Sequence, residues 1–197
     1  MRIEINNNID IAKLEELFTA CFDELKGNDS QDFTEEQDQA FREWFGIENL
    51  KDYLKFSHII IAHENNKFIG GAIVGMQNPL SWPDGKKYEF FILGLLPGHR
   101  NKGLGKRLVQ TAEKVSKENG ARSLIVNTHV LMKDTQHFYE NLGFSRMGTL
   151  KNYYGNGDAV FLSRHSKNKF TPNTYGSINI NQSFKKLRED WICKNII

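Results

Sequence analysis

Eight consecutive residues carry the first chemical signal: Arg100-Asn101-Lys102-Gly103-Leu104-Gly105-Lys106-Arg107. Four basic side chains and two glycines in one short turn suit an anion, because glycine lets backbone N–H groups come close to a ligand while the cations neutralise it. Two familiar nucleotide loops fail here. A Walker loop needs glycine where Arg100 stands and Ser or Thr where Arg107 stands; the dinucleotide pattern needs a third glycine where Leu108 stands. The flanking elements explain how the turn would be aimed. Before it, Phe90–Leu96 is an apolar run broken only by Gly94 and stopped by Pro97, as in a strand buried on both faces. After it, Leu104, Leu108, Ala112 and Val115 recur on one face of a helix. A strand ending in such a turn points several backbone N–H groups and a helix dipole at one place, most often a phosphate site.

What remains is Arg-x-x-Gly-x-Gly after a strand ending Leu-x-Leu-x-Pro, and here the chain resembles the GNAT superfamily of acyl-CoA-dependent N-acetyltransferases. Phe138-Tyr139-Glu140-Asn141-Leu142-Gly143-Phe144 matches that superfamily's second hallmark, and the resemblance covers about residues 1–165. It implies an α/β fold: a mixed central sheet of about seven strands flanked by helices, with a splayed central strand pair. It also implies acetyl-CoA as co-substrate. Backbone groups of Arg100, Asn101, Lys102, Gly103, Leu104, Gly105 and Lys106 would hold the pyrophosphate, with Arg100, Lys102, Lys106 or Arg107 adding charge. Gly103 and Gly105 would keep a Cβ away from the phosphates. A bulge at Gly94 would splay the strand from the next one, so that the pantetheine arm pairs near Leu93 and Leu95 and the Leu95 N–H faces the thioester oxygen. A glycine needed only for packing is the other reading of Gly94.

The resemblance also assigns proton chemistry. A thioester needs no covalent nucleophile, and none is evident. When the amine attacks, CoA leaves as a thiolate, which the phenol of Tyr139 would protonate; otherwise Tyr139 packs beside Phe138. The amine must first lose a proton. At pH 7 that costs about 4.6 kcal/mol for a lysine-like amine and about 1.4 kcal/mol for an α-amine. Glu89, eleven residues before Arg100, lies where some GNAT enzymes hold a base glutamate; otherwise it is a solvent-facing carboxylate. Ribosomal-protein N-terminal acetyltransferases are matched only in part. Their base glutamate and CoA-touching asparagine are here Asn127 and Met132, while Asn152-Tyr153-Tyr154 with Asp158-Ala159 looks like their final hairpin. His129 and His137 flank the presumed site. No residue cluster has metal-ligand spacing, so no metal is expected.

The 197 residues suit one domain, expected at 1–165, with an extension at 166–197. With 26 basic and 24 acidic residues, the chain implies no nucleic-acid partner overall. The distribution is uneven. Pro97–Arg122 holds seven basic and two acidic residues, which suits a polyanionic cofactor; Asp23–Glu48 holds nine acidic and two basic, an acidic rim for a cationic amine or a merely solvated surface. Two cysteines make no disulfide framework, no run nears the roughly 18 apolar residues of a membrane span, and Met1-Arg2-Ile3-Glu4 does not open a signal peptide. A reduced, cytoplasmic protein is expected.

In order, the patterns predict a strand at Ile3–Ile5, then a helix capped by Asp10 and running to about Leu25, with Cys21 on its apolar stripe. Helices follow from Thr34 to about Phe45 and over Ile47–Phe56. Strands His58–Ala62 and Phe68–Met76 turn at Asn65-Asn66. Tyr88–Leu96 is the central strand, Gly103 to Gly120 a helix, Arg122–Val130 a strand, and Asp134 caps a helix through Leu142. Phe144–Leu150 and Ala159–Arg164 form a last hairpin. Ser183–Ile197 reads as a helix packed on its own domain, at a homodimer contact or over the active site. The expected activity is acetyl transfer from acetyl-CoA to a small-molecule or peptide amine in a ternary complex. The alternative is a non-catalytic acyl-CoA sensor.

Overall fold

A computed structural model of the chain describes residues 1–23, 34–76, 87–154 and 157–165. Asp10 accepts from the Ala12 N–H at 3.0 Å and so caps α1 (Ile11–Phe22), which buries Leu14, Leu17, Phe18 and Cys21 as one stripe. Helix α2 spans Glu35–Trp44. Gly46 then takes an extended backbone and lets α3 (Ile47–Leu54) start in a new direction. The expected extension at 166–197 lies outside the described residues, as do residues 24–33 of the acidic segment.

Seven strands form one sheet in the order β1-β2-β3-β4-β5-β7-β6: β1 (Arg2–Ile5), β2 (Ser57–Glu64), β3 (Lys67–Met76), β4 (Lys87–Leu95), β5 (Ser123–His129), β6 (Ser145–Tyr154) and β7 (Gly157–His165). Asn65 and Asn66 both adopt positive φ (49° and 62°), the hairpin geometry that joins β2 to β3 with the strands' own twist. Among the described residues only the β4–β5 pair is parallel; the other neighbour pairs are antiparallel.

Two cores hold the layers together. Helix α4 (Leu104–Glu118) lays Leu104, Leu108, Val109 and Ala112 on one face of the sheet, where Ile60, Val74, Phe90 and Leu124 complete the cluster; Val115 is buried as well. On the opposite face α1 and α3 cover Ile59, Ile61, Ile73 and Ile92. Helix α5 (Lys133–Asn141) follows β5. Asp134 sits inside its first turn; Met132 is the residue before the helix, and no side chain caps it. The last hairpin is longer than the alternation predicts, and β6 carries on through Tyr153 and Tyr154. The reason is a pair of register shifts, with Asn152 at φ 55°, which break the alternation without ending the strand.

Candidate active site

The site begins where the central strands part. Parallel pairing of β4 with β5 ends at Phe90↔Val126, although β5 continues to His129 and stays paired with β7. One residue earlier than its regular register, β4 bulges against β3: Ile73 pairs with Ile92 and Val74 with Phe90, leaving Phe91 as the extra residue. The Phe91 carbonyl, turned out of the ladder, accepts from Trp44 Nε1 at 2.9 Å. The bulge therefore falls at Phe91 and not at Gly94, which pairs regularly with Gly71. Gly94 has a packing reason instead. A Cβ there would stand 2.9 Å from Cys21 Cβ, so its absence lets α1 close on the sheet. Cys21 is core, and burial pushes its thiol up to about 12.

Ladder phase fixes where the freed backbone points. Leu96 N–H bonds Ile69 O at 3.0 Å, so by alternation Gly94 and Ile92 also face β3, while Leu93 and Leu95 turn their peptide groups toward the gap. The gap holds a cavity of about 120 Å³ walled by Leu93, Val126, Asn127, His129, Tyr139 and Tyr154, among others.

At the end of β4 the chain turns through a short 3-10 segment, Pro97–His99, into the basic loop. Asn101 (φ 59°) and Gly103 (φ 77°) are both left-handed, which bends the loop so that α4 starts at Leu104. The first intrahelical bond is Arg107 N–H to Gly103 O at 3.2 Å, so the N–H groups of Leu104, Gly105 and Lys106 have no intrahelical acceptor and lie at the positive end of a 15-residue helix. This is what an anion-binding turn requires. Three of these residues also have structural partners. Gly105 is small because Phe138 fills its place, with Cζ 3.2 Å from where a Cβ would be; Gly103 is needed for its backbone conformation. Arg100 is not a free cation. Its guanidinium donates to Cys21 O (2.7 Å) and Leu95 O (3.2 Å), tying the turn to α1 and β4. Lys102 Nζ folds back on Gly98 O at 2.7 Å, whereas Lys106 and Arg107 are exposed.

Tyr139 lines the cavity from α5. Its ring is 3 % exposed, wedged against Phe138, Phe144 and Phe90 at centroid distances of 5.0, 5.4 and 6.1 Å. Burial raises its pKa well above the ordinary phenol value, so it keeps its proton. Gln136, whose part no motif announces, clamps the β5–α5 turn by donating to His129 O and Val130 O at 3.2 and 2.9 Å.

Glu89 is buried at 5 % exposure and is not a solvent-facing carboxylate. It stands behind the cavity wall. Asn127 Nδ2 donates to Glu89 Oε1 at 2.6 Å, and Tyr154 Oη donates to Asn127 Oδ1. His129, also on the wall, accepts from the Leu131 N–H at Nδ1 (3.2 Å), which places the neutral ring's proton on Nε2. Its burial lowers its pKa, against an opposing pull from Asp158. His137 is not on the wall. Met132 is, and its sulfur accepts from Thr128 Oγ1 at 3.7 Å. Among the described residues, no three His, Cys, Asp or Glu side chains gather in a metal-binding group, and no helix is long and apolar enough to cross a membrane.

Residues 11–144 match the family described as Acetyltransferase (GNAT) family. The chain belongs to that family. Among curated GNAT-related sequences, it is 32 % identical over 101 residues to N-alpha-acetyltransferase 30 of Schizosaccharomyces pombe, covering 51 % of this chain and 66 % of that protein. It is 26 % identical over 125 residues to an N-alpha-acetyltransferase of Sulfurisphaera tokodaii, covering 60 % and 74 %. The chain thus spans just under two thirds of the yeast relative. In fold it is similar to the PaiA N-acetyltransferase of Thermoplasma acidophilum, solved in complex with coenzyme A: TM-score 0.66, 22 % identity, 84 % of this chain and all of that one.

Proposed function

We propose that this chain moves an acetyl group from acetyl-CoA to a primary amine, which attacks directly in a ternary complex. What supports this is the coincidence of three features along one gap: strands that stop pairing at Phe90↔Val126, the N–H groups of Leu93 and Leu95 facing the opening, and Tyr139 on its wall. The Gly103–Lys106 turn lies at the end of the same strand, with amides suited to a diphosphate. Acetyl-CoA would supply the activated acyl group; the chain's residues bind, orient and handle protons. Leu93 and Leu95 would align the arm, and the turn would anchor the phosphates. Tyr139, protonated and shielded from water, would donate its proton to the departing sulfur.

The acceptor we favour is an α-amine. Neutralising it at pH 7 costs only about 1.4 kcal/mol, against about 4.6 for a side-chain amine, and the Glu89 carboxylate is bonded to the wall residue Asn127. The names of the two curated relatives point the same way. A thiol-release assay with acetyl-CoA tests the reading on a short peptide with a free α-amine, lysine and spermidine. Turnover with the peptide supports it. Calorimetric binding of CoA with no turnover on any amine favours the sensor instead, the reading that Asn127 and Met132 on the wall keep open. No heat with CoA removes both.

A further inference from the structure

We infer that Glu89 is a positioning residue: through Asn127 it sets the hydrogen-bond polarity of Tyr154, so that the cavity offers an oxygen lone pair to the N–H of the acceptor. The Glu89 carboxyl oxygen accepts from Asn127 Nδ2 at 2.6 Å and so holds the amide nitrogen inward. The amide oxygen is thereby turned to Tyr154. That oxygen cannot donate, so the phenol must spend its only proton on Asn127. What Tyr154 then has left for the cavity it lines is acceptor capacity alone. Ligands with an N–H to give are bound; ligands with only acceptors meet a lone pair.

Aromatic packing keeps the geometry fixed. Trp44 meets Tyr154 edge-on at 5.8 Å while its indole N–H anchors the bulge, and Tyr153 packs on Tyr154 at 5.0 Å. Burial also keeps Tyr154 protonated, with the nearby Glu89 charge acting in the same direction.

The identity of the bound donor as an amine rests on the acetyl-transfer reading; the polarity of the network does not. Two measurements separate them. In the full-length protein, ¹⁵N-resolved NMR of the Asn127 side-chain amide should show one proton displaced downfield, unchanged in Tyr154→Phe and returned to an ordinary position in Glu89→Leu. In steady-state kinetics with the α-amine peptide, Tyr154→Phe should raise KM for the peptide about tenfold with KM for acetyl-CoA unchanged. Glu89→Gln, which can donate as well as accept and so lets Asn127 turn over, should raise KM for the peptide as Tyr154→Phe does and leave the pH profile in place. The inference is overturned if the amide signal answers to Tyr154→Phe and not to Glu89→Leu. It is equally overturned if Tyr154→Phe leaves the peptide KM alone, or if Glu89→Gln costs a hundredfold in kcat and removes a limb of the pH profile. Should Glu89→Leu not fold, the Gln and Phe variants decide. Absence of turnover on every amine counts against acetyl transfer and leaves the NMR result to decide the network.

Discussion

Tyr139→Phe removes one hydroxyl and almost nothing else. The ring contacts with Phe138, Phe144 and Phe90, at 5.0, 5.4 and 6.1 Å, are available to phenylalanine, and the side chain is 97 % covered, so packing is kept and Tm should move by no more than about 3 °C. Catalysis should not be kept. Between an ordinary phenol near 10 and a thiol near 8.5, proton transfer to sulfur is uphill by about 2 kcal/mol in water. Burial raises the Tyr139 value further, but it raises the value of a thiol in the same cavity as well, since both anions lose hydration. The mismatch therefore stays small enough for a positioned acid, whose loss costs 10²–10⁴ in rate. The expected outcome in the thiol-release assay is kcat lower by at least a hundredfold, with calorimetric affinity for CoA within about threefold. A kcat within threefold of the parent would refute the acid role, and Tyr139 would then be a core aromatic that happens to border the cavity.

Gly94→Ala places a Cβ 2.9 Å from Cys21 Cβ and should cost about 1–3 kcal/mol of overpacking, a fall in Tm of roughly 2–12 °C by scanning calorimetry. Arg100→Ala loses donors to Cys21 O and Leu95 O, so it should lower both Tm and CoA affinity, whereas Lys106→Ala, exposed, should weaken CoA binding in a salt-dependent way and leave Tm within about 1 °C. Burial depresses the pKa of His58 and His129 below 6.5. Between the depressed values and 6.5 the unfolded chain binds more protons than the folded one, so stability is full above pH 6.5 and falls as the pH drops below it. Urea midpoints at pH 7.5 and 5.5 should show that fall, with a smaller one in His58→Phe.

Much of this was legible in the sequence, for reasons that are local. The spacing of Leu104, Leu108, Ala112 and Val115 needs only the 3.6-residue period, and all four are buried. The Asn65-Asn66 turn and the Asp10 cap are matters of neighbouring backbone groups. The turn into α4 was readable because its parts are contiguous, with Gly103 left-handed at the start of α4. Other features were not open to such reading. The bulge lies at Phe91, where nothing in the residue type marks it, because the register of β4 is set by β3 and by Trp44 from a separate helix. Arg100 was one of four cations that could add charge at the turn; that its guanidinium bonds Cys21 O, 79 positions away in the chain, was not readable.

Glu89 marks the boundary most clearly. As one residue on a strand it had two readings, a base or a solvated carboxylate, and alternation alone does not choose between them. Its surroundings come from β5 and β6, which place Asn127 and Tyr154 around it only after the sheet closes. Residue types and spacing were enough for the family, the glycine turn before α4 and the faces of the helices, since those follow from contacts a few residues apart. Which polar groups share a hydrogen bond, and in which direction each proton points, was decided by strands 27 to 38 residues apart being brought into one layer.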